Sequence, residues 1–347
     1  MTDAEHTAAE HAPPPKRGAL GRYGMWAAQA LIVLALLDGL VDLAYPAART
    51  IWRAAMPSAA DVASRPAGWT NYRERSVAGL GKIVEPVSGP GLQVDALGVR
   101  STGTPRRDGA QGILLGSSQA FGHYVADDAT LAAAIERSRA DINVAVIAGP
   151  ARTTAQSMLH WRHLAARIDA PDFAIFLFSN VELYLACEPV SAQSEHEPAL
   201  IAIPKRMLHR IGAIPKEYPC ATPEARTAVV EQSLYQLRAA LEYGRQQNTQ
   251  FAVVIAPLLY GNESNAAGLR GSLDTDFFNS LDLTVREFRA RIAAENLPGV
   301  IDLSAAFDGN GDAYFSDSSS HFSRAGADAL AARVIERLPD TFFEASR

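Results

Sequence analysis

Three short stretches of the chain hold the residue types that acyl transfer needs. The first is Gly116-Ser117-Ser118-Gln119-Ala120-Phe121-Gly122, a pair of serines in a Gly-flanked turn after an apolar run. A hydroxyl placed there is exposed beside a helix N-terminus, where developing negative charge is favoured. The second is Ser179-Asn180-Val181-Glu182, which sets a side-chain amide at the end of another apolar run. The third is Tyr314-Phe315-Ser316-Asp317-Ser318-Ser319-Ser320-His321-Phe322-Ser323-Arg324-Ala325-Gly326, where a carboxylate and an imidazole share one loop before the last helix. Hydroxyl, imidazole, carboxylate and amide donor are the parts of a nucleophilic acyl-transfer site. Each stretch by itself reads as an ordinary turn, cap or surface pair. Their force lies in order and placement.

Placement follows from the elements around them. Short apolar runs fall at 112–116, 144–148, 173–178, 251–256 and 299–303, with helix-like stretches at 127–140, 154–168, 223–247, 274–296 and 323–337 between and after them. Strands apolar on both faces and separated by helices predict a three-layer α/β/α sandwich around a parallel sheet of about five strands. In such a sheet ligands bind at the carboxyl ends of the strands, which is where the three stretches begin. The segment at about 185–222 breaks the rhythm and reads as an insertion in a domain spanning 108–347. The Pro/Gly-rich part at 46–107 reads as a stalk and lead-in that wraps the domain.

Composition narrows the partners. The 347 residues carry 32 basic and 38 acidic side chains, a formal charge of −6, which argues against a nucleic-acid binder. Two cysteines, Cys187 and Cys220, exclude a disulfide scaffold and a four-thiolate zinc site, and no metal or cofactor is expected. Residues 1–22 read as a polar, disordered tail on the cytoplasmic side. The mostly apolar stretch Tyr23–Tyr45 has about the length that spans a bilayer. Lys16, Arg17 and Arg22 precede it and Trp26 and Tyr45 mark its ends, which predicts a signal anchor in a bacterial inner membrane with the domain periplasmic. Asp38 and Asp42 weigh against a span, leaving a buried amphipathic helix or a cleaved signal peptide as alternatives.

At this point the chain resembles the SGNH (GDSL-like) hydrolase family, over roughly 112–337, in its membrane-anchored bacterial type. Leu114-Leu115-Gly116-Ser117-Ser118-Gln119-Ala120-Phe121-Gly122 matches the family's first block, with Ser118 at the nucleophile position and Ser117 where Asp is commonest. Asp95-Ala96-Leu97-Gly98-Val99-Arg100 is similar to the lead-in of anchored members. The stretch from Pro171 to Leu183 matches the third block, with Asn180 as the oxyanion-hole amide, and the last block supplies His321 as base. In the weaker second block Gly149 is the best match for the oxyanion-hole glycine. The resemblance implies a flavodoxin-like sheet and a serine esterase acting on an acyl ester, acetyl among the candidates, of an envelope glycan or small molecule. An O-acyltransferase in exopolysaccharide modification and a non-catalytic binding domain are the alternatives. One departure stands out. The family's aspartate lies three residues before the histidine, where this chain has Ser318, and Asp317 lies four before. Either the loop carries one extra residue and Asp317 still orients His321, or the site works as a dyad.

The remaining candidates read as ordinary. His160 and His163 are expected at the surface, and His123 either lines the pocket or starts a helix at the surface. Glu182 is expected to make a structural hydrogen bond, and the basic run Lys205–Arg210 to form a solvated helix face or to touch anionic lipid or polysaccharide. Cys187 and Cys220 are either a disulfide in an oxidising periplasm or two free thiols.

Overall fold

A computed structural model describes residues 66–77, 80–179, 181–188, 217–262 and 275–345, all within one compact unit. The tail, the apolar stretch 23–45, the basic run 205–210 and most of the insertion lie outside the described residues. Among the described residues no helix is long and apolar enough to cross a membrane.

From Pro66 onward the lead-in is more ordered than its composition suggests. A short 3-10 turn at Ala67–Asn71 precedes two hairpins, β1 (Glu74–Val77) with β2 (Gly81–Val84) and β3 (Val87–Gly89) with β4 (Leu92–Val94). Pro90-Gly91, a turn-favouring pair, closes the second hairpin, and Gly91 takes the positive φ of 75° that such a turn uses. Arg100 then bridges Val94 and Val146, which stitches the lead-in to the edge of the main sheet.

The main chain continues as β5 (Ala110–Gly116), α1 (Ser118–Phe121), α2 (Leu131–Ser138), β6 (Ile142–Ala148), α3 (Thr154–Leu164), β7 (Phe173–Phe178) and α4 (Val181–Cys187). After the insertion come α5 (Pro223–Arg245), β8 (Gln250–Ile255), α6 (Thr275–Glu295), β9 (Val300–Asp302), α7 (Gly311–Tyr314) and α8 (Arg324–Arg337). All five strands of the central sheet run parallel in the order β6-β5-β7-β8-β9. Every residue of β7 is buried, so both faces of the sheet are covered. Helices α2 and α8 pack together as one layer, and α3, α5 and α6 pack in a row as the other. The stacked pairs Trp161–Phe251 and Phe178–Phe288 seat that second row on the strands. Side-chain caps start the helices where the sequence offers them: Thr130, Thr153 with Gln156 in a capping box, Thr222 ahead of Pro223, and Ser323.

Cys187 and Cys220 form a disulfide, both fully buried. It joins the end of α4 to the residues before α5 and so clasps the base of the insertion.

Candidate active site

The order β6-β5-β7 means that the chain leaves β5 to one side and later returns on the other. Such a switch point opens a crevice at the carboxyl ends of β5 and β7. Ser117, just after β5, and Ser179, just after β7, meet there with their hydroxyl oxygens 2.6 Å apart. Gly116 permits the tight strand-to-helix turn. Its φ is 148°, and a β-carbon there would press within 2.8 Å of both Ala120 Cβ and the Leu177 carbonyl. Ser118 thus becomes the first residue of α1, half-buried at the mouth of the crevice.

Arg100 locks this turn from behind. Its fully buried guanidinium donates to Asp127 Oδ1 at 2.8 Å and to the carbonyls of Phe121, Gly122 and Val125 at 2.6, 2.6 and 2.7 Å. These carbonyls lie at and beyond the C-terminus of α1, where a cation complements the exposed backbone acceptors. Burial lowers the Arg100 pKa and raises that of Asp127, in both cases against the pull of the ion pair.

His321 sits on a loop pinched shut by pairing of Phe315 with Phe322 and by the Ser316 amide donating to the His321 carbonyl at 2.7 Å. Asp317 organises the loop. Its Oδ1 accepts the amides of Ser319 at 2.9 Å and His321 at 3.2 Å, and its Oδ2 lies 2.5 Å from His321 Nδ1. Burial pushes the Asp317 carboxyl up, but the hydrogen bonds and charge of His321, helped by the amides, outweigh it and hold the group below the usual carboxylate range. An ionised carboxylate only accepts, so Nδ1 carries a proton, which leaves Nε2 as the ring nitrogen free to face a hydroxyl. Ser320 has a φ of 66°, the turn that swings His321 inward. Ser318, three residues before His321, offers its carbonyl to the Tyr260 hydroxyl.

The two halves of the site are tied by Gln119, which is buried and donates from Nε2 to the Ser320 carbonyl at 2.6 Å. The residue after Ser118 therefore holds the residue before His321. Gly149 follows β6, and the pairing of Gly116 with Ala148 places it beside Ser117 at the same sheet end. Asn180 lies outside the described residues.

Around His321 the walls are aromatic. The His123 ring is 4.9 Å and the Tyr124 ring 6.0 Å from it, and Trp69 packs 5.0 Å from His123. His123 therefore lines the site. A cavity of about 280 Å³ is lined by Asp317 and Ser316 together with Pro66, Tyr124–Ala126 and Ala129. Glu182 accepts from the Thr154 amide at 2.5 Å and from its hydroxyl, joining α4 to the start of α3, and burial raises its pKa. The expectation of a surface position fails for His160, which is fully buried with Nδ1 2.7 Å from Arg152 Nη1; His163 is exposed. Trp161 beside it is buried as well, and Arg152 before the helix folds back onto the ring, a contact that the local sequence does not show. Among the described residues no cluster of His, Cys, Asp and Glu could hold a metal ion.

Arg100, Gln119, Tyr260 and Arg152 were not singled out by sequence as parts of a site. Arg100 ends a stretch that did stand out and Gln119 lies within one; Tyr260 and Arg152 carry no local signal.

No protein-family model and no curated protein matches the sequence. Solved structures do. A lipase/acylhydrolase from Enterococcus faecalis is 17% identical, with 65% of this chain and 94% of that one covered and a TM-score of 0.37. A member of the lipolytic G-D-S-L family from Veillonella parvula is 14% identical, covering 66% and 97%, with a TM-score of 0.39. The acetyl xylan esterase AlAXEase is 9% identical, covering 66% and 100%, with a TM-score of 0.40.

Proposed function

We propose that this chain is a serine ester hydrolase of the SGNH type. The observation that carries the reading is the Asp317–His321 hydrogen bond of 2.5 Å, on a loop that Gln119 ties to the helix headed by Ser118. His321 Nε2 takes the Ser118 hydroxyl proton as Oγ attacks the ester carbonyl. The backbone N–H groups of Ser118 and Gly149 receive the oxyanion, and the family resemblance adds the Asn180 amide as third donor. The alcohol departs with the proton from His321, leaving an acyl group on Ser118. Water, deprotonated by the same nitrogen, attacks that acyl group, and collapse of the second tetrahedral intermediate returns Ser118 and releases the acid.

The substrate class that fits the resemblance is an acyl ester, acetyl first, of an envelope glycan or small molecule. The Tyr23–Tyr45 segment anchors the enzyme in a bacterial inner membrane with the domain on the periplasmic side. A buried disulfide supports that side, because such bonds persist in oxidising compartments.

A chromogenic acetyl ester and a fluorophosphonate probe test the activity. Hydrolysis and labelling at Ser118, both lost in Ser118→Ala, are expected. Labelling unchanged in His321→Ala would remove the base. Product that forms only when a sugar acceptor is added would make the chain an acyltransferase. For topology, a periplasm-active reporter fused after residue 60 should work and a cytoplasm-active one should not; the reverse pattern overturns the anchor.

A further inference from the structure

The loop after β6, Gly149-Pro150-Ala151-Arg152, holds a charge that the mechanism above leaves unused. Arg152 closes the turn with its own amide, which donates to the Gly149 carbonyl at 3.3 Å. Its side chain then folds back and is buried, with the residue only 2% exposed. Nη1 donates to His160 Nδ1 at 2.7 Å and Nη2 to the Lys82 carbonyl at 3.0 Å. Among the described residues Nε has no hydrogen-bond partner, and the Glu74 carboxylate acts on the guanidinium by charge alone, without a hydrogen bond to it. Both neighbours that hold it are neutral. Burial, followed by the Arg152 charge, pushes the His160 pKa down to about 4, so the imidazole stays an uncharged acceptor at neutral pH. Burial likewise lowers Arg152 to about 10, which leaves it charged.

A buried cation whose hydrogen bonds all go to neutral groups is costly, so its position calls for a reason. The reason lies against Gly149. A β-carbon at residue 149 would come within 2.9 Å of Nη2 and 3.2 Å of Cζ, so only a glycine lets the guanidinium rest on this piece of main chain.

We infer that Arg152 is a positioning residue of the oxyanion hole: its guanidinium braces the turn that presents the Gly149 N–H and sets a fixed positive charge behind that donor. The inference rests on the esterase reading. In the resting enzyme the carboxylate acting on this charge is Glu74, through space. In the tetrahedral intermediate the ester carbonyl oxygen becomes a further anion, and a pre-placed charge in a low-dielectric site favours it over the uncharged ester. Because the substrate ground state carries no such charge, the effect belongs to kcat and not to KM. Direct recognition of an anionic substrate is the rival role, and the burial of Arg152 opposes it.

The test uses the full chain in detergent, with the chromogenic acetyl ester and the fluorophosphonate probe on wild type, Arg152→Gln and Arg152→Lys. Loss of one oxyanion donor costs roughly 100- to 1000-fold, so a charge acting through such a donor should cost about tenfold or more. Arg152→Gln is expected to lower kcat by that factor with KM within about twofold, and to slow Ser118 labelling in parallel. Arg152→Lys, which keeps the charge, should recover most of the loss. A folded Arg152→Gln with wild-type kcat overturns the role, as does a rise in KM confined to an anionic ester. Should Arg152→Gln fail to fold, His160→Leu frees one arm of the guanidinium and carries the same expectation of lower kcat at constant KM. A wild type that neither hydrolyses the ester nor labels at Ser118 overturns the esterase reading and this role with it. An active wild type with an unaffected Arg152→Gln or His160→Leu overturns the role alone.

Discussion

The two sides of the crevice are held by different means. On the nucleophile side the turn at Gly116–Gly122 is set by backbone: a glycine at a close approach, carbonyls gathered by the buried Arg100, and strand pairing on both sides of β5. On the base side the loop Ser316–His321 depends on one carboxylate, which accepts two amides and the imidazole. A backbone-built turn tolerates loss of single polar side chains on its exposed rim and fails when a buried brace is removed. A loop centred on one carboxylate keeps its fold through most changes and loses its chemistry with that one group.

The largest effect should come from that group. Asp317→Asn is expected to lower kcat by roughly 100- to 10,000-fold with KM little changed, because the amide no longer fixes the Nδ1-protonated tautomer or stabilises the imidazolium. Steady-state rates on one ester at several pH values measure it. If the loss is under about threefold, the base side does not hinge on Asp317 and a dyad replaces the triad.

Arg100→Met comes next and bears on the other side. Removing the cation leaves the buried Asp127 carboxylate without its ion-pair partner and the Phe121 carbonyl without this donor, while Gly122 keeps the Val125 amide and Val125 the Trp69 indole, a change worth about 3–5 kcal/mol of unfolding free energy. Urea denaturation reads the loss, and Ser118 labelling should slow as α1 loosens. A variant as stable as wild type would show that strand pairing suffices to hold the turn.

Asp317 also predicts a pH effect on stability. Its pKa is held below the ordinary value near 4, so its contribution is fully present above about pH 4 and is lost as pH falls through the lowered folded value. Asp317→Asn should therefore flatten the acid side of the melting-temperature profile. An unchanged acid slope would show that the carboxylate gains nothing from folding.

The smallest effect should be that of Ser318→Ala. Its carbonyl, not its hydroxyl, meets Tyr260, so both stability and kcat should stay within about 0.5 kcal/mol of wild type. A large loss would reassign the family's usual aspartate spacing to Ser318 and break the contrast drawn above.

Much of this arrangement was legible in residue order. Two-sided apolar runs placed all five central strands within about two residues, since that signal is local and periodic. The shifted aspartate was legible only as a choice. Spacing allowed either an extra loop residue or a dyad; the Asx-type hydrogen bonds and the positive φ of Ser320 bring Asp317 onto Nδ1. The lead-in was read as irregular because its strands are three or four residues long, too short to show a period.

The sequence by itself determined the class of the fold, the serine-bearing turn after β5 and the presence of a carboxylate and an imidazole in one loop, because each is written in contiguous residues. The tertiary structure alone decided what holds them together. Gln119 and Ser320 meet across 201 positions, Arg100 and Phe121 across 21, and Arg152 and Lys82 across 70. Contacts at such separations come from the crossing of strands at a switch point, and no local pattern of side chains encodes which polar group will find a partner there. His160 shows the same limit from the other direction. A histidine on a helix, close to Arg162 and His163, reads as exposed until the fold lays a buried arginine against it.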